Sequence, residues 1–157
     1  MIVLGADLSY TRTGLVLLGD NFLLHYHEAF SIKPGPYRFL RALRQFAQFL
    51  DKWKPGFVVI EDNAYGAPSR VVVTKLSALN TLFKVACEYA GIDYVEVSPS
   101  LVKKWVTGKG TAEKHIVARE LERRFGVKFD NDKGYDLSDA AALAAWGVEY
   151  RGKRPHG

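Results

Sequence analysis

The sequence predicts an α/β domain in which a mixed five-stranded sheet is flanked by helices. The first thirty residues contain three short apolar strands joined by tight links, a pattern typical of an antiparallel meander. Helical and strand patterns then alternate, which indicates strands joined by crossover helices. At 157 residues and 48% hydrophobic content, the chain can build one core. We therefore expect a single domain over residues 1–150 and a short basic tail over 151–157.

Apolar periodicity and turn residues define the individual elements. The predicted order is strands at 2–7, 14–18 and 22–30, a helix at 37–54, a strand at 57–60, a helix at 71–90, a strand at 93–97, a short helix after Pro99, and helices at 111–125 and 136–149. A hairpin turn is expected at 19–21, and Ser98 and Thr111 are expected to cap helices. A right-handed crossover through the first helix would make the first and fourth strands parallel neighbours.

The first long helix carries an apolar stripe that we expect to face the sheet. Its members recur at spacings of three and four residues: Phe39, Leu43, Phe46, Leu50 and Trp53. Basic residues occupy the other faces of the same helix. The stripe is most simply explained as core.

Two of the predicted strands end on acidic residues, Asp7 and Glu61. If these strands are parallel neighbours, their carboxyl ends bring the two side chains together. Asp136 and Asp139 lie three residues apart at the start of the last helix, so they project from nearly one face. Each acid alone has an ordinary explanation as a turn residue or a helix cap. The joint pattern favours a cluster of four carboxylates.

Four like charges in one cluster require cations. Hard oxygen ligands select Mg²⁺ or Mn²⁺ over softer metals. Two such ions, about 3.5–4 Å apart, can clamp the attacking and leaving oxygens of a phosphodiester. Asp7 is the best candidate to bridge both ions, with Glu61 and Asp136 on one ion and Asp139 on the other.

The formal net charge of +5 is concentrated in one segment. Residues 103–128 contain eight Lys or Arg and three Asp or Glu, whereas the rest of the chain contains fourteen of each. Concentrated positive charge suits a polyanion such as nucleic acid. An ordinary solvated helix face would have a similar composition, so the charge alone does not decide between the two.

Several other functional classes lack support in the sequence. No apolar run approaches the roughly 20 residues of a membrane span, and no signal peptide pattern is present. No zinc, nucleophile-elbow or P-loop motif occurs. The single cysteine, Cys87, fits a reducing compartment such as the cytoplasm. Asp7-Leu8-Ser9 with Thr13-Gly14 is similar to the phosphate loop of actin-like ATPases, but those proteins need two such domains.

Four motifs, which follow one another along nearly the whole chain, resemble those of one family. They are G-A-D-L-S with a following T-G at 5–14, V-I-E at 59–61, G-K-G-T-A-E-K at 108–114 and D-L-S-D-A-A-A-L-A at 136–144. In this combination the sequence resembles the RuvC-type Holliday junction resolvases, which have a ribonuclease H-like fold. Leu8-Ser9 departs from the Pro-Gly that the family has after its first acid, so the turn is expected to differ.

The resemblance implies a metal-dependent, structure-selective endonuclease. Such enzymes act as homodimers on branched DNA and place paired symmetric nicks in a four-way junction. The implied catalytic metal ligands are Asp7, Glu61, Asp136 and Asp139, with two Mg²⁺ or Mn²⁺ ions per site. The candidate DNA contacts are Lys103 and Lys114, which match basic positions of the family, and Lys104, Lys109, Arg70 and Tyr65.

Tyr65 is a candidate because it lies next to the position at which the family stacks an aromatic side chain on junction bases. The short chain and the divergent segment 63–73 favour a phage-encoded member, which would act in the host cytoplasm. Two alternatives stay open. One is a broader nuclease of the same fold that acts on flaps and other branches, and the other is a junction-binding protein without catalysis.

Overall fold

The structure is a computed structural model that describes residues 1–62 and 69–153, without the side chains of residues 72 and 73. Its elements in chain order are β1 Val3–Asp7, β2 Thr13–Leu18, β3 Leu24–Phe30, α1 Arg38–Trp53, β4 Phe57–Glu61, α2 Arg70–Ala90, β5 Tyr94–Val97, α3 Pro99–Thr107, α4 Lys114–Phe125 and α5 Asp136–Gly152. No helix within these residues has the length and apolarity to cross a membrane.

The five strands form one mixed sheet in the order β3-β2-β1-β4-β5. The first three strands are antiparallel neighbours, whereas β4 pairs in parallel with both β1 and β5. Ala6 lies opposite Ile60 in the parallel pair, so Asp7 and Glu61 come next on adjacent strands. The predicted architecture and the predicted pairing of the first and fourth strands are confirmed.

Helices cover both faces of the sheet, because successive strand residues point to opposite sides. One face, with Leu4 and Ile60, packs against Phe46 of α1 and Phe83 of α2. The other face packs against the helices that follow β5; its strand residues are Val3, Val16, Leu18, Phe57 and Val59. The central strands are buried on both sides, which explains why they are continuous apolar runs.

Helix α5 lies unusually close to the sheet. A Cβ atom added to Gly5 would lie 1.9 Å from the carbonyl oxygen of Ala140, and one added to Gly14 would lie 2.5 Å from that of Asp136. The facing side of α5 is made of buried small residues, chiefly Ala140, Ala141, Ala144 and Ala145. Glycine and alanine therefore set the height of α5 above β1 and β2, and with it the position of the acids on its first turn.

The structure corrects two of the predicted local features near the start of the chain. The segment after β2 forms a 3₁₀ turn at Asp20–Phe22 instead of a hairpin turn at 19–21, because Asn21 and Phe22 both have positive φ and β3 begins at Leu24. Phe39 is 55% exposed, although it belongs to the predicted inward stripe of α1. It lies in the first turn of the helix, whereas the buried residues begin at Ala42.

Of three predicted helix ends, the structure confirms the one at Ser98 and corrects the other two. Ser98 caps α3 as expected, since its Oγ accepts a hydrogen bond from the Leu101 amide at 3.3 Å. Thr111 does not cap α4, which begins at Lys114 after Glu113. Helix α5 continues to Gly152, and Arg151 lies 3.3 Å from Asp93, so the helix includes the first residues of the predicted tail.

Candidate active site

Asp7 and Glu61 meet at the carboxyl edge of the sheet, where β1 and β4 end side by side. Their side chains are within hydrogen-bonding reach of each other, and both are partly buried. Burial raises the pKa of Asp7 well above its ordinary value, and the charges of Glu61 and Asp139 raise it further. Burial also raises the pKa of Glu61, with Asp139 adding to the effect. Two negative charges on this pair are therefore electrostatically unfavourable.

Helix α5 adds the two remaining acids. The side chain of Asp139 is 14% exposed and acts on the pKa of both strand acids. Asp136 is 19% exposed, more than Asp139, and its charge also raises the pKa of Asp7 after the larger effect of burial. Burial raises the pKa of both helix acids. The structure thus brings the four predicted acids to one edge of the sheet, with Asp136 outermost.

Three cations lie against these acids. Lys114 Nζ is 3.0 Å from Asp139 Oδ2, and Arg12 Nε is 2.9 Å from Asp136 Oδ2. The positive charge of Lys103 lowers the pKa of Glu61 and of Asp139. Burial by itself lowers the pKa of Lys114, but the neighbouring carboxylates, Asp139 first, raise it overall. Lys114 therefore stays protonated at the edge of the site.

The four carboxylates suit a hard divalent cation, although the described residues do not form a preformed metal-binding site. Within them, no three acidic, histidine or cysteine side chains converge closely enough to hold a metal ion. Each acid of α5 is instead paired with a cation, Asp139 with Lys114 and Asp136 with Arg12. The chemistry is that of a site for a hard divalent cation, since all four donors are carboxylates and burial raises the pKa of each.

The turn after Asp7 is closed by hydroxyl groups. Thr13 Oγ1 donates to the carbonyl oxygen of Ser9 at 2.7 Å and accepts from the Ser9 amide at 3.2 Å. None of residues 8–12 has a positive φ, so position 9 does not need glycine here. Leu8 is buried and anchors the turn in the core. These contacts account for the departure of Leu8-Ser9 from the Pro-Gly of the family.

Sequence reasoning missed three residues that shape the site, and the first is Arg12. The other two are Asn80, whose Nδ2 donates to the carbonyl oxygen of Glu61 at 3.1 Å, and Asp132. The Asp132 carboxylate accepts from the amides of Leu137 and Ser138 at 3.0 and 2.8 Å. Asp132 thus caps α5, and Asp136 does not have to. Asn80 could have been found from the sequence, because it is a polar residue in an apolar helical stripe. The spacing of residues does not reveal the partners of Arg12 and Asp132.

The predicted DNA contacts fall into two groups. Lys103 and Lys114 lie beside the acids. Lys104, Lys109 and Arg70 are exposed, and the structure shows no side-chain contact from them to the acids. Tyr65 lies outside the described residues.

The chain matches the family model described as crossover junction endodeoxyribonuclease RuvC over residues 23–146. This match includes Glu61, Asp136 and Asp139 and begins after Asp7. The crossover junction endodeoxyribonuclease RuvC of Chloroherpeton thalassium is 28% identical over 94% of this chain and 81% of that protein. The protein of the same description from Syntrophomonas wolfei is 30% identical over 69% of this chain, an alignment that spans 62% of that relative.

Among solved structures, T. thermophilus RuvC in complex with Holliday junction substrate superimposes with a TM-score of 0.81 at 25% sequence identity. The alignment covers 96% of this chain and 94% of that one. The five-stranded mixed sheet with its flanking helices is the ribonuclease H-like fold of that protein.

Proposed function

This chain belongs to the RuvC family of crossover junction endodeoxyribonucleases, and from that premise we propose that it cleaves four-way DNA junctions. The family consists of metal-dependent nucleases. The reaction is hydrolysis of one phosphodiester in each of two opposed strands. The observation that carries the proposal is the meeting of four acids with Lys103 and Lys114 at one edge of the sheet.

In the proposed site, two Mg²⁺ or Mn²⁺ ions would be held by the four acids. Asp7 would be the ligand common to both ions, with Glu61 and Asp136 on one of them and Asp139 on the other. Bound there, the ions would activate water and neutralise the charge that develops on the phosphate. Asp7 and Glu61 are positioned by adjacent parallel strands, and the α5 acids by the close packing of that helix. Rigid elements therefore fix the ligands, as a metal site requires.

The basic residues serve the nucleic acid. Lys114 and Lys103 place basic side chains beside the acids, where a phosphate has to approach. In this proposal the exposed Lys104, Lys109 and Arg70 contact the backbone of the junction arms, and Tyr65 stacks on a base. Stacking of this kind contributes about 1–3 kcal/mol per base.

We further propose that the active form is a homodimer working in the cytoplasm, that of the host if the chain is phage-encoded. Paired nicks need two sites, and a second copy supplies the second. Four large apolar side chains are exposed where α1 and α2 begin: Tyr37, Phe39, Leu40 and Val71. An apolar patch of this kind suits a protein interface.

Replacement of Asp7 by asparagine tests the proposed chemistry. Asp7→Asn keeps the shape of the side chain but removes the bridging charge, so nicking in Mg²⁺ or Mn²⁺ should fall at least about a hundredfold. Binding of a four-way junction, measured in EDTA, should be unchanged. Asp130→Asn changes an exposed acid and serves as the control. If purified Asp7→Asn still nicks junctions, the assignment is wrong.

The range of substrates is tested by comparing four-way, three-way and flap DNA of equal arm length. The proposal expects preference for the four-way junction and paired nicks in opposed strands. Equal rates on flaps would instead indicate the broader nuclease of the same fold. Tight junction binding with no cleavage by the wild type in either metal would indicate a binding protein.

A further inference from the structure

The link between β1 and β2 brings an arginine onto one of the site acids. Arg12 Nε lies 2.9 Å from Asp136 Oδ2, while 40% of the arginine side chain stays exposed. Arg12 is not one of the basic residues considered above, which lie on α2, α3, α4 and the loop between α3 and α4. We propose that Arg12 is a phosphate-binding residue of the cleavage site, held by Asp136 in the free protein and released towards DNA when a divalent ion takes that carboxylate.

The backbone that carries Arg12 is held from both sides. Ser9 and Thr13 close the turn before and after it through the Thr13 hydroxyl. Tyr10 accepts a hydrogen bond at its carbonyl from the Ile32 amide at 2.8 Å. The guanidinium of Arg38 lies 4.2 Å from the centre of the Tyr10 ring and donates to the Ile32 carbonyl. Arg12 therefore extends a long side chain from a fixed position.

The contact between Arg12 and Asp136 is close but poorly aligned. The Nε atom is buried, yet among the described residues it makes no hydrogen bond of good geometry. Lys114 differs, because its Nζ contacts both Asp139 and the carbonyl oxygen of Gly134 at 3.2 Å. A charged contact that is misaligned is weaker than a well-aligned hydrogen bond and is readily exchanged. Arg12 is thus the more easily displaced of the two cations that hold the α5 acids.

The exchange follows from charge. A divalent ion and a guanidinium cannot share one carboxylate without repulsion, so an ion bound by Asp136 weakens the hold on Arg12. The freed guanidinium then lies beside the acids with its planar fork of donors, which matches two phosphate oxygens. It approaches from the β1–β2 link, whereas Lys103 and Lys114 approach from α3 and α4. This inference rests on the proposed function.

The test uses Arg12→Gln and Arg12→Lys in the full chain. In a calorimetric Mn²⁺ titration without DNA, Arg12→Gln should bind Mn²⁺ at least about threefold more tightly than the wild type, the scale on which such ion pairs act. Single-turnover junction cleavage at saturating Mn²⁺ should fall about tenfold, because a charged phosphate contact is lost. Arg12→Lys should keep wild-type Mn²⁺ affinity and show an intermediate cleavage rate, since it retains the charge without the fork.

Arg44→Gln removes an exposed arginine from α1, on the other face of the sheet, and is the matched control. Unchanged or weaker Mn²⁺ binding by Arg12→Gln would overturn the inference, and so would unchanged cleavage. A purely structural role for Arg12 would weaken both metal binding and cleavage. If the wild type binds Mn²⁺ and cleaves junctions and Arg12→Gln matches it in both, the role of Arg12 is refuted and the proposed function is not. A wild type that does neither refutes the proposed function.

Discussion

At the scale of single residues, Asp7 is a buried acid whose charge lowers the stability of the metal-free fold. Burial and the charges of Glu61 and Asp139 all raise its pKa. A group whose pKa is raised on folding binds more protons in the folded state than in the unfolded state. In the unfolded state an aspartate has a pKa of about 3.9. In the metal-free protein, Asp7 therefore lowers stability increasingly as the pH rises through the interval above that value.

Removing this charge should stabilise the metal-free protein. In EDTA at pH 7, Asp7→Asn should raise the free energy of unfolding by on the order of 1 kcal/mol, because a buried charge beside two other acids disappears. The gain should shrink as the pH is lowered towards 4, where the wild-type carboxyl is protonated. Urea unfolding at several pH values measures both effects.

Metal should reverse the order of stability of the two proteins. Mg²⁺ at a hundred times its dissociation constant should stabilise the wild type by about 2.7 kcal/mol and Asp7→Asn by much less. Asp130→Asn, a change at an exposed acid, should behave as the wild type in every condition. A loss of stability in Asp7→Asn at pH 7 without metal would contradict the electrostatic account.

At the scale of elements, α5 is the helix that assembles the site. Its first turn carries Asp136 and Asp139, and its buried small side chains allow it to lie on β1 and β2. Because Asp132 caps the helix, neither of these acids is needed as its cap. Close packing and capping together determine how far the helix acids are from the strand acids.

Gly5→Ala should damage the site without changing any acid. The new Cβ would meet the backbone of Ala140 and Ala144, which cannot rotate away, so α5 has to move outward. Overpacking of this kind costs about 1–3 kcal/mol. The expected result is a less stable protein with weaker Mn²⁺ binding and slower junction cleavage per folded molecule. Gly152→Ala lies on the same helix with nothing near its added Cβ, and should leave both properties intact. Normal cleavage by folded Gly5→Ala would show that the helix height does not matter.

At the scale of the whole molecule, the exposed apolar side chains at the start of α1 and α2 are expected to form the homodimer contact. Phe46 packs on Phe83 at 4.8 Å between ring centres, and Leu50 and Ala86 line one cavity, so the two helices run in the same direction. Their first turns therefore lie at the same end of the layer.

Phe39→Glu should convert the dimer to a monomer at micromolar concentration, with the fold unchanged. A charge in an apolar interface is left without water or a partner, which opposes association. Light scattering after size exclusion gives the mass, and circular dichroism checks the fold. Tyr89→Glu is the control, because Tyr89 is 92% exposed near the other end of α2. A dimeric Phe39→Glu, or a monomeric Tyr89→Glu, would locate the interface elsewhere.

The arrangement of strands and the meeting of the four acids could be predicted because they depend on local signals. Apolar runs ending at Asp7 and Glu61 reveal both the strands and the edge at which they end. The contact of Arg12 with Asp136 could not be predicted, since it joins distant parts of the chain. Phe39 has helical spacing but lies in the first turn of α1, before the buried residues of that helix begin, and periodicity does not show where burial begins along a helix.

The closeness of α5 to β1 and β2 also has a consequence for recognising relatives that have lost activity. Loss of function in a nuclease is usually sought at its acidic positions. Here a side chain at position 5 or 14 would push α5 away from the sheet. The two acids on α5 would then lie farther from the two acids on the strands, although all four acids are present. A homologue with all four acids and a bulkier residue at either position should bind junctions and cleave them slowly. The two glycines are therefore as diagnostic of a working nuclease as the carboxylates are.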